Sequence, residues 1–152
     1  MKRFTSCLIA GLGISLLATA AHANIVVFAG GEDICSDIYG KWKGKGTVVA
    51  DIKIGKIKCD YSGKANITDK NDGTFNMNIE LKKETGVCPD KTLDLPGACK
   101  NGAIQIKTDS ANLHGTTDGK TAKVEGTVTL IVAGIPITAE VQNMSLQKLP
   151  NP

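Results

Sequence analysis

The stretch GKWKGKGTVVADIKIGKIKCDYSGKANI, residues 40–67, decides the fold. Lys41, Lys43 and Lys45 alternate with Trp42, Gly44, Gly46 and Val48, and the pattern runs on through Ile52 and Ile54. Gly55 interrupts it. A second alternation then sets Ile57, Cys59, Tyr61, Gly63, Ala65 and Ile67 against Lys56, Lys58, Asp60, Ser62, Lys64 and Asn66. A period of two puts successive side chains on opposite faces, the signature of strands with one buried face. Two such runs joined at a glycine predict an antiparallel hairpin.

The same period continues downstream. Asp69–Gly73 has the composition of a turn, and Phe75, Met77, Ile79 and Leu81 mark the inner face of a third strand. Ile104 and Ile106 mark a fourth, Leu113 a short fifth, and Thr117–Lys120 a hairpin turn. Ala122, Val124, Gly126, Val128, Leu130 and Val132 point inward from a sixth, and Ala133-Gly134 turns the chain into a seventh carrying Ile137, Ala139 and Val141. Met144 and Leu146 fall on the other parity, so a bulge near Gln142-Asn143 is expected. Segment 86–101 holds two Pro, two Gly and two Cys, and reads as a stapled loop. Upstream, Glu32–Tyr39 offers a short helical turn with acids at its start. The expected class is all-β: an antiparallel meander of about seven to eight strands, closed as a barrel or folded as a sandwich.

The first residues read as an export signal. Lys2 and Arg3 precede an uncharged apolar run from Cys7 to Ala21, and Ala21-His-Ala23 supplies small residues for cleavage. The expected organisation is a cleaved signal peptide over 1–23, a segment with the helical turn over 24–39, and one β-domain over 40–149. No later run approaches the roughly 20 apolar residues that a spanning helix needs, so a periplasmic or secreted, non-spanning product is expected. Removing Lys2 and Arg3 from 18 basic residues leaves 16, all Lys, against 15 acids, a net charge of +1. Without Arg there is no planar fork for bidentate recognition of guanine or phosphate, which argues against specific nucleic-acid readout.

Four Cys remain beyond the leader, an even count that favours two disulfides in an exported chain. Loop closure over the shortest spans pairs Cys88 with Cys99, leaving Cys35 with Cys59. The C-x2-C pairs usual in zinc sites are absent, so no metal is expected.

Residues 37–44, DIYGKWKG, resemble the first motif of the lipocalin and calycin families, in which a helical turn precedes a strand bearing Gly-x-Trp. Gly40 and Trp42 match those positions. The resemblance implies a meander barrel whose Trp plugs one end. The longer string Gly-x-Trp-x-Gly-x-Gly over 40–46 is also similar to the opening of nitrobindin-type barrels, although nothing beyond His114 is available to ligate a haem, and no cofactor is expected.

No catalytic constellation is legible. His114, the one His outside the leader, sits opposite Leu113 in parity and should face solvent. Trp42, Tyr61, Phe75 and Met77 are the candidates to line an internal pocket. Lys41, Lys43, Lys45, Lys56, Lys58 and Lys64 are candidates for a cationic outer face that attracts anionic surfaces weakly, by point charge. Two non-enzymatic functions follow. One is an exported barrel holding a small apolar ligand. The other is an envelope or secreted interaction protein of the inhibitor type, using segment 86–101 or the Lys face over 41–64 to engage another protein or an anionic component. An internal cavity of roughly 300 Å³ or more is what the first requires.

Overall fold

The computed structural model describes residues 33–150; the expected signal peptide and cleavage site lie outside them. Eight antiparallel strands close into a barrel in simple chain order. They are β1 (Gly40–Ile52), β2 (Gly55–Asp69), β3 (Thr74–Thr85), β4 (Lys91–Lys100), β5 (Ala103–Lys107), β6 (Ala111–Thr117), β7 (Thr121–Val132) and β8 (Ile135–Lys148). A short 3-10 turn, Ile34–Ile38, precedes them, and the Asp33 side chain caps it by accepting from the Cys35 amide at 3.1 Å. The barrel closes where β1 pairs with β8, from Trp42↔Lys148 to Val49↔Glu140.

Alternation fills the interior as expected. Val48, Cys59, Tyr61, Ala65, Ile67, Met77, Val124 and Val141 are all buried and belong to one core. Outward positions on the same strands carry Lys, Asp, Glu, Asn and Thr, with Lys43, Lys64, Glu80, Lys123 and Glu140 among them. A polar exterior around an apolar interior is the inverse of an outer-membrane barrel. No helix among the described residues is long and apolar enough to cross a membrane.

One end is closed by a plug. Trp42 and Ile38 are each 1% exposed, and the Trp42 indole Nε1 donates to the Ile38 carbonyl oxygen at 2.7 Å. The 3-10 turn is thereby folded across the barrel mouth. Lys148 at the end of β8 donates to the Asp37 carbonyl and pins the turn from the other side. The phase slip in β8 is a bulge: Lys45 and Thr47 of β1 face Ser145 and Gln142, so β8 holds one extra residue there. Asn143 adopts a φ of 51°, a left-handed conformation that Asn tolerates. Met144 and Leu146 are thus returned to the inner side, where they pack against the core.

Three expectations are corrected. Segment 86–101 is largely strand: β4 pairs with β3 from Thr74↔Ala98 to Leu81↔Lys91. Its other side meets β5 only over Ala98–Lys100, which leaves Pro96 the edge-like position a proline requires. The disulfides are Cys35–Cys99 and Cys59–Cys88, with Cα separations of 5.6 and 6.1 Å. Cys88 lies before one end of β4 and Cys99 near the other. Roughly 27 Å of strand at about 3.3 Å per residue intervenes, far beyond disulfide reach. Finally, β1 stops at Ile52, and Ile54 is not in a strand face but at the hairpin tip, 92% exposed.

Two hairpins outrun the barrel at the end away from Trp42. Beyond Val49↔Glu140, β1 pairs with β2 alone, and β2 meets β3 only from Asp60 onward. Likewise β7 meets β6 only up to Val128 and thereafter pairs with β8 alone. The Cys59–Cys88 bond braces the base of the first ribbon.

Candidate functional site

Two regions offer chemistry, one inside the barrel and one on its flank. The interior holds an apolar cavity of about 60 Å³, bordered by Tyr61, Met77, Leu113, Val124 and Val141 among others. Of the four residues expected to line a pocket, Tyr61 and Met77 do so. Trp42 and Phe75 do not, because both are fully buried in the plugged end. The volume is small. A dry cavity of about 150 Å³ holds a benzene, and ligand sites usually begin near 300 Å³. The core side chains fill most of the space the small inward residues leave. At Gly44 a Cβ would stand 2.6 Å from Leu146 Cδ2, and at Gly63 2.8 Å from Leu81 Cδ2. Tyr61 supplies the one phenol of the lining, and its hydroxyl donates to the Pro89 carbonyl at 2.9 Å. Burial chiefly, and the charge of Asp90 secondarily, hold that phenol above its ordinary pKa, so it stays neutral.

The flank is different. The inward Gly44 and Gly63 pair directly across β1 and β2, and the wall outside them is an open saddle of about 810 Å³. Two rows of outward residues cross it. The first runs Glu80, Lys64, Lys43, Gln147 and Thr121; the second runs Lys82, Ser62, Lys45, Ser145 and Lys123. Five cations thus share the saddle with Glu80, and Glu84 borders it by accepting from the Ser62 hydroxyl. None of the five makes an ion pair among the described residues. Lys43 and Lys64 face each other directly, and like charges in that position repel by a few tenths to about 1 kcal/mol. An anion placed between them removes that cost.

Lys43, Lys45 and Lys64 therefore come together as the alternation of β1 and β2 implied. Lys56 does not join them; it lies near the hairpin tip, 3.6 Å from Asp51. Lys58 stands opposite Val49 toward the same tip, and Lys41 opposite Asn66 at the plugged end. Lys82 joins the saddle from β3, next to β2, and Lys123 from β7, which reaches it only through the closure of β8 on β1. The Lys face is thus shorter along the strands than expected and wider across them.

His114 is exposed on β6, with Nε2 3.1 Å from Glu125 Oε1 across the β6–β7 pair. All four cysteines of the described residues are consumed by disulfides, which leaves no thiolate to act as nucleophile or zinc ligand. No protein-family model matches the sequence, and no curated protein matches it.

Proposed function

We propose that this chain is an exported, non-enzymatic interaction protein that engages an anionic envelope component across the Lys saddle. The observation that carries the proposal is the cluster of Lys43, Lys45, Lys64, Lys82 and Lys123 around an open concavity on the flank, none of them ion-paired among the described residues, beside an interior cavity of only about 60 Å³. A lipocalin-like barrel with so little internal volume works by its surface. The two disulfides suit an oxidising compartment, in keeping with the leader-like first 23 residues.

Lysine chemistry narrows the partner. Each ammonium is a compact, hydrated point charge on a flexible stem, without the bidentate geometry of Arg. Such a set fits a polyanion with repeating phosphate or carboxylate groups, such as an anionic polysaccharide or glycolipid headgroup, more than one stereospecific site. Binding of this kind is steered by long-range charge and weakened by salt.

The test is binding of the exported protein to phosphorylated lipopolysaccharide core and to a carboxylated polysaccharide over a salt series. Affinity that falls steeply with salt, and is lost in the triple variant Lys43→Glu, Lys45→Glu, Lys64→Glu, supports the saddle. Binding that survives the triple variant, or no binding to either polymer at low salt, refutes it.

A further inference from the structure

The open end of the barrel carries a second surface whose chemistry is unlike that of the flank. Among the described residues the large exposed apolar side chains are Ile54 (92%), Val87 (77%), Ile135 (62%), Ile131 (52%) and Ile34 (41%). All but Ile34 sit at hairpin connections or strand ends of the one barrel end opposite the Trp42 plug. Ile54 tips the β1–β2 ribbon. Ile131 and Ile135 tip the β7–β8 ribbon. Val87 lies in the β3–β4 connection of the same end, and the other three sit on the two ribbons that outrun the barrel.

The two ribbons differ in a complementary way. From Gly126 to Ala139 the β7–β8 ribbon contains no charged residue at all. The β1–β2 ribbon interleaves Ile52, Ile54 and Ile57 with Lys53, Lys56 and Lys58, and its one acid, Asp51, is already engaged by Lys56. Both tips end in two-residue turns, Lys53-Ile54 between Ile52↔Gly55 and Ala133-Gly134 between Val132↔Ile135. The turn at 133–134 takes its shape from left-handed φ values of 49° and 78°. Turns this tight leave very few backbone N–H and C=O groups unpaired, which is the main cost of placing chain in a low-dielectric medium.

We propose that these two hairpins dock the open end of the barrel onto an anionic lipid bilayer. Ile54, Ile131 and Ile135 enter the boundary between headgroups and acyl chains, while Lys53, Lys56 and Lys58 remain among the lipid phosphates. The shape of the surface favours lipid over a folded partner. The apolar groups are convex and divided between two ribbons, so a protein would need two matching pockets, whereas a fluid hydrocarbon needs none. Interfacial binding of this kind grows with buried apolar area and with attraction of Lys to anionic headgroups, and long Lys stems reach back to the phosphates as the tips enter. The surface shares no residue with the Lys saddle, so the proposal stands or falls independently of the function proposed above.

The experiment is co-sedimentation of the exported protein, recovered from a bacterial periplasm, with vesicles of phosphatidylcholine alone or mixed with phosphatidylglycerol. The wild-type protein is expected to partition onto the mixed vesicles more strongly than onto the neutral ones. The variant Ile54→Ser, Ile131→Ser, Ile135→Ser is expected to lose about tenfold or more of that partitioning, with an unchanged thermal midpoint because the three side chains are exposed. The variant Lys53→Glu, Lys56→Glu is expected to abolish the preference for the anionic mixture. No partitioning of the wild type overturns the proposal, as does equal partitioning of the triple Ser variant, which assigns the lipid contact to other residues. Self-association that the triple Ser variant abolishes, without vesicle binding, assigns the tips to a second copy of the chain and overturns it as well.

Discussion

Trp42 and Ile38 are locked together twice: the two side chains are each almost wholly buried, and the Trp42 indole N–H donates to the Ile38 carbonyl at 2.7 Å. The same bond that satisfies the indole also satisfies the carbonyl of a 3-10 turn too short to hold itself together. The plug is therefore one unit of side chain and backbone, and the turn leans on β1 for its stability.

Trp42→Ala is expected to cost about 3–5 kcal/mol in urea unfolding, the range for a buried large aromatic. Trp42→Phe keeps most of the apolar contact and strands the Ile38 carbonyl, at a cost of about 1–3 kcal/mol. The folded protein should emit as a buried indole, since Trp42 is the one Trp of the chain.

Gly126→Ala is expected to destabilise by about 2–4 kcal/mol, through backbone strain and overpacking together. Gly126 holds a φ of 136°, and an added Cβ would stand 2.9 Å from Leu113 Cα and meet the Asn112 carbonyl. Thermal unfolding of the variant checks this. Gly73→Ala, at a turn with a φ of 79° but nothing near the added atom, should cost less.

Stability should fall in acid. The Asp60 carboxylate accepts from Thr47 Oγ1 and Thr85 Oγ1, both at 2.7 Å, and those two bonds hold its pKa below the ordinary Asp value. Asp118 is lowered by the backbone amides of Thr121 and Lys120, and Asp72 by Thr74. A carboxylate whose pKa is depressed on folding adds stability above its unfolded value, near pH 4, and loses it as pH falls through the lower folded value. Urea midpoints should therefore drop below about pH 4, and Asp60→Asn should flatten that drop.

The alkaline side has the opposite sign. Tyr61 is held above its ordinary pKa, so its neutral form adds stability that is complete below about pH 10 and lost above it. Tyr61→Phe should remove that loss at high pH while costing a little at neutrality, where the bond to Pro89 is absent. Denaturation midpoints at pH 7 and over a series rising above about pH 10 separate the two effects.

Replacing each cystine by an Ala pair gives a graded expectation. In the chain-entropy picture the closed spans of 29 and 64 residues correspond to about 3.6 and about 4.3 kcal/mol. Non-reducing peptide maps should contain a Cys35–Cys99 peptide pair and no Cys88–Cys99 pair.

Much of the barrel was legible because alternation needs only local sequence. The inward residues from Trp42 to Ala50, from Cys59 to Ile67 and from Phe75 to Leu81 sit on the inner side, and the β8 bulge was readable from a change of parity. β4 was not legible, because Pro96, Gly97 and two nearby Cys imitate a loop, and the pairing of its first half with β3 alone has no local mark. The saddle was half legible: Lys43, Lys45 and Lys64 share a hairpin, but Lys82 and Lys123 depend on which strands become neighbours. The apolar tips were hidden for a related reason. Ile54 continues the alternation of β1 perfectly and is excluded from the barrel only by where the hairpin turns.

The order of the four half-cystines has a consequence for biogenesis. The 59–88 bond lies wholly inside the span of the 35–99 bond, so the correct partners are nested, not consecutive. A chain delivered amino-terminus first into an oxidising space presents Cys35 and Cys59 together before either native partner has arrived. An oxidase that joins thiols as they emerge would make the wrong pair first, and then join Cys88 to Cys99. Where oxidation keeps pace with delivery, native pairing requires the β1–β3 sheet to form around Cys59 while Cys35 is kept waiting, or a disulfide isomerase to undo what the oxidase has done. In that regime the early assembly of the first three strands, before the barrel has closed, decides which cystines form.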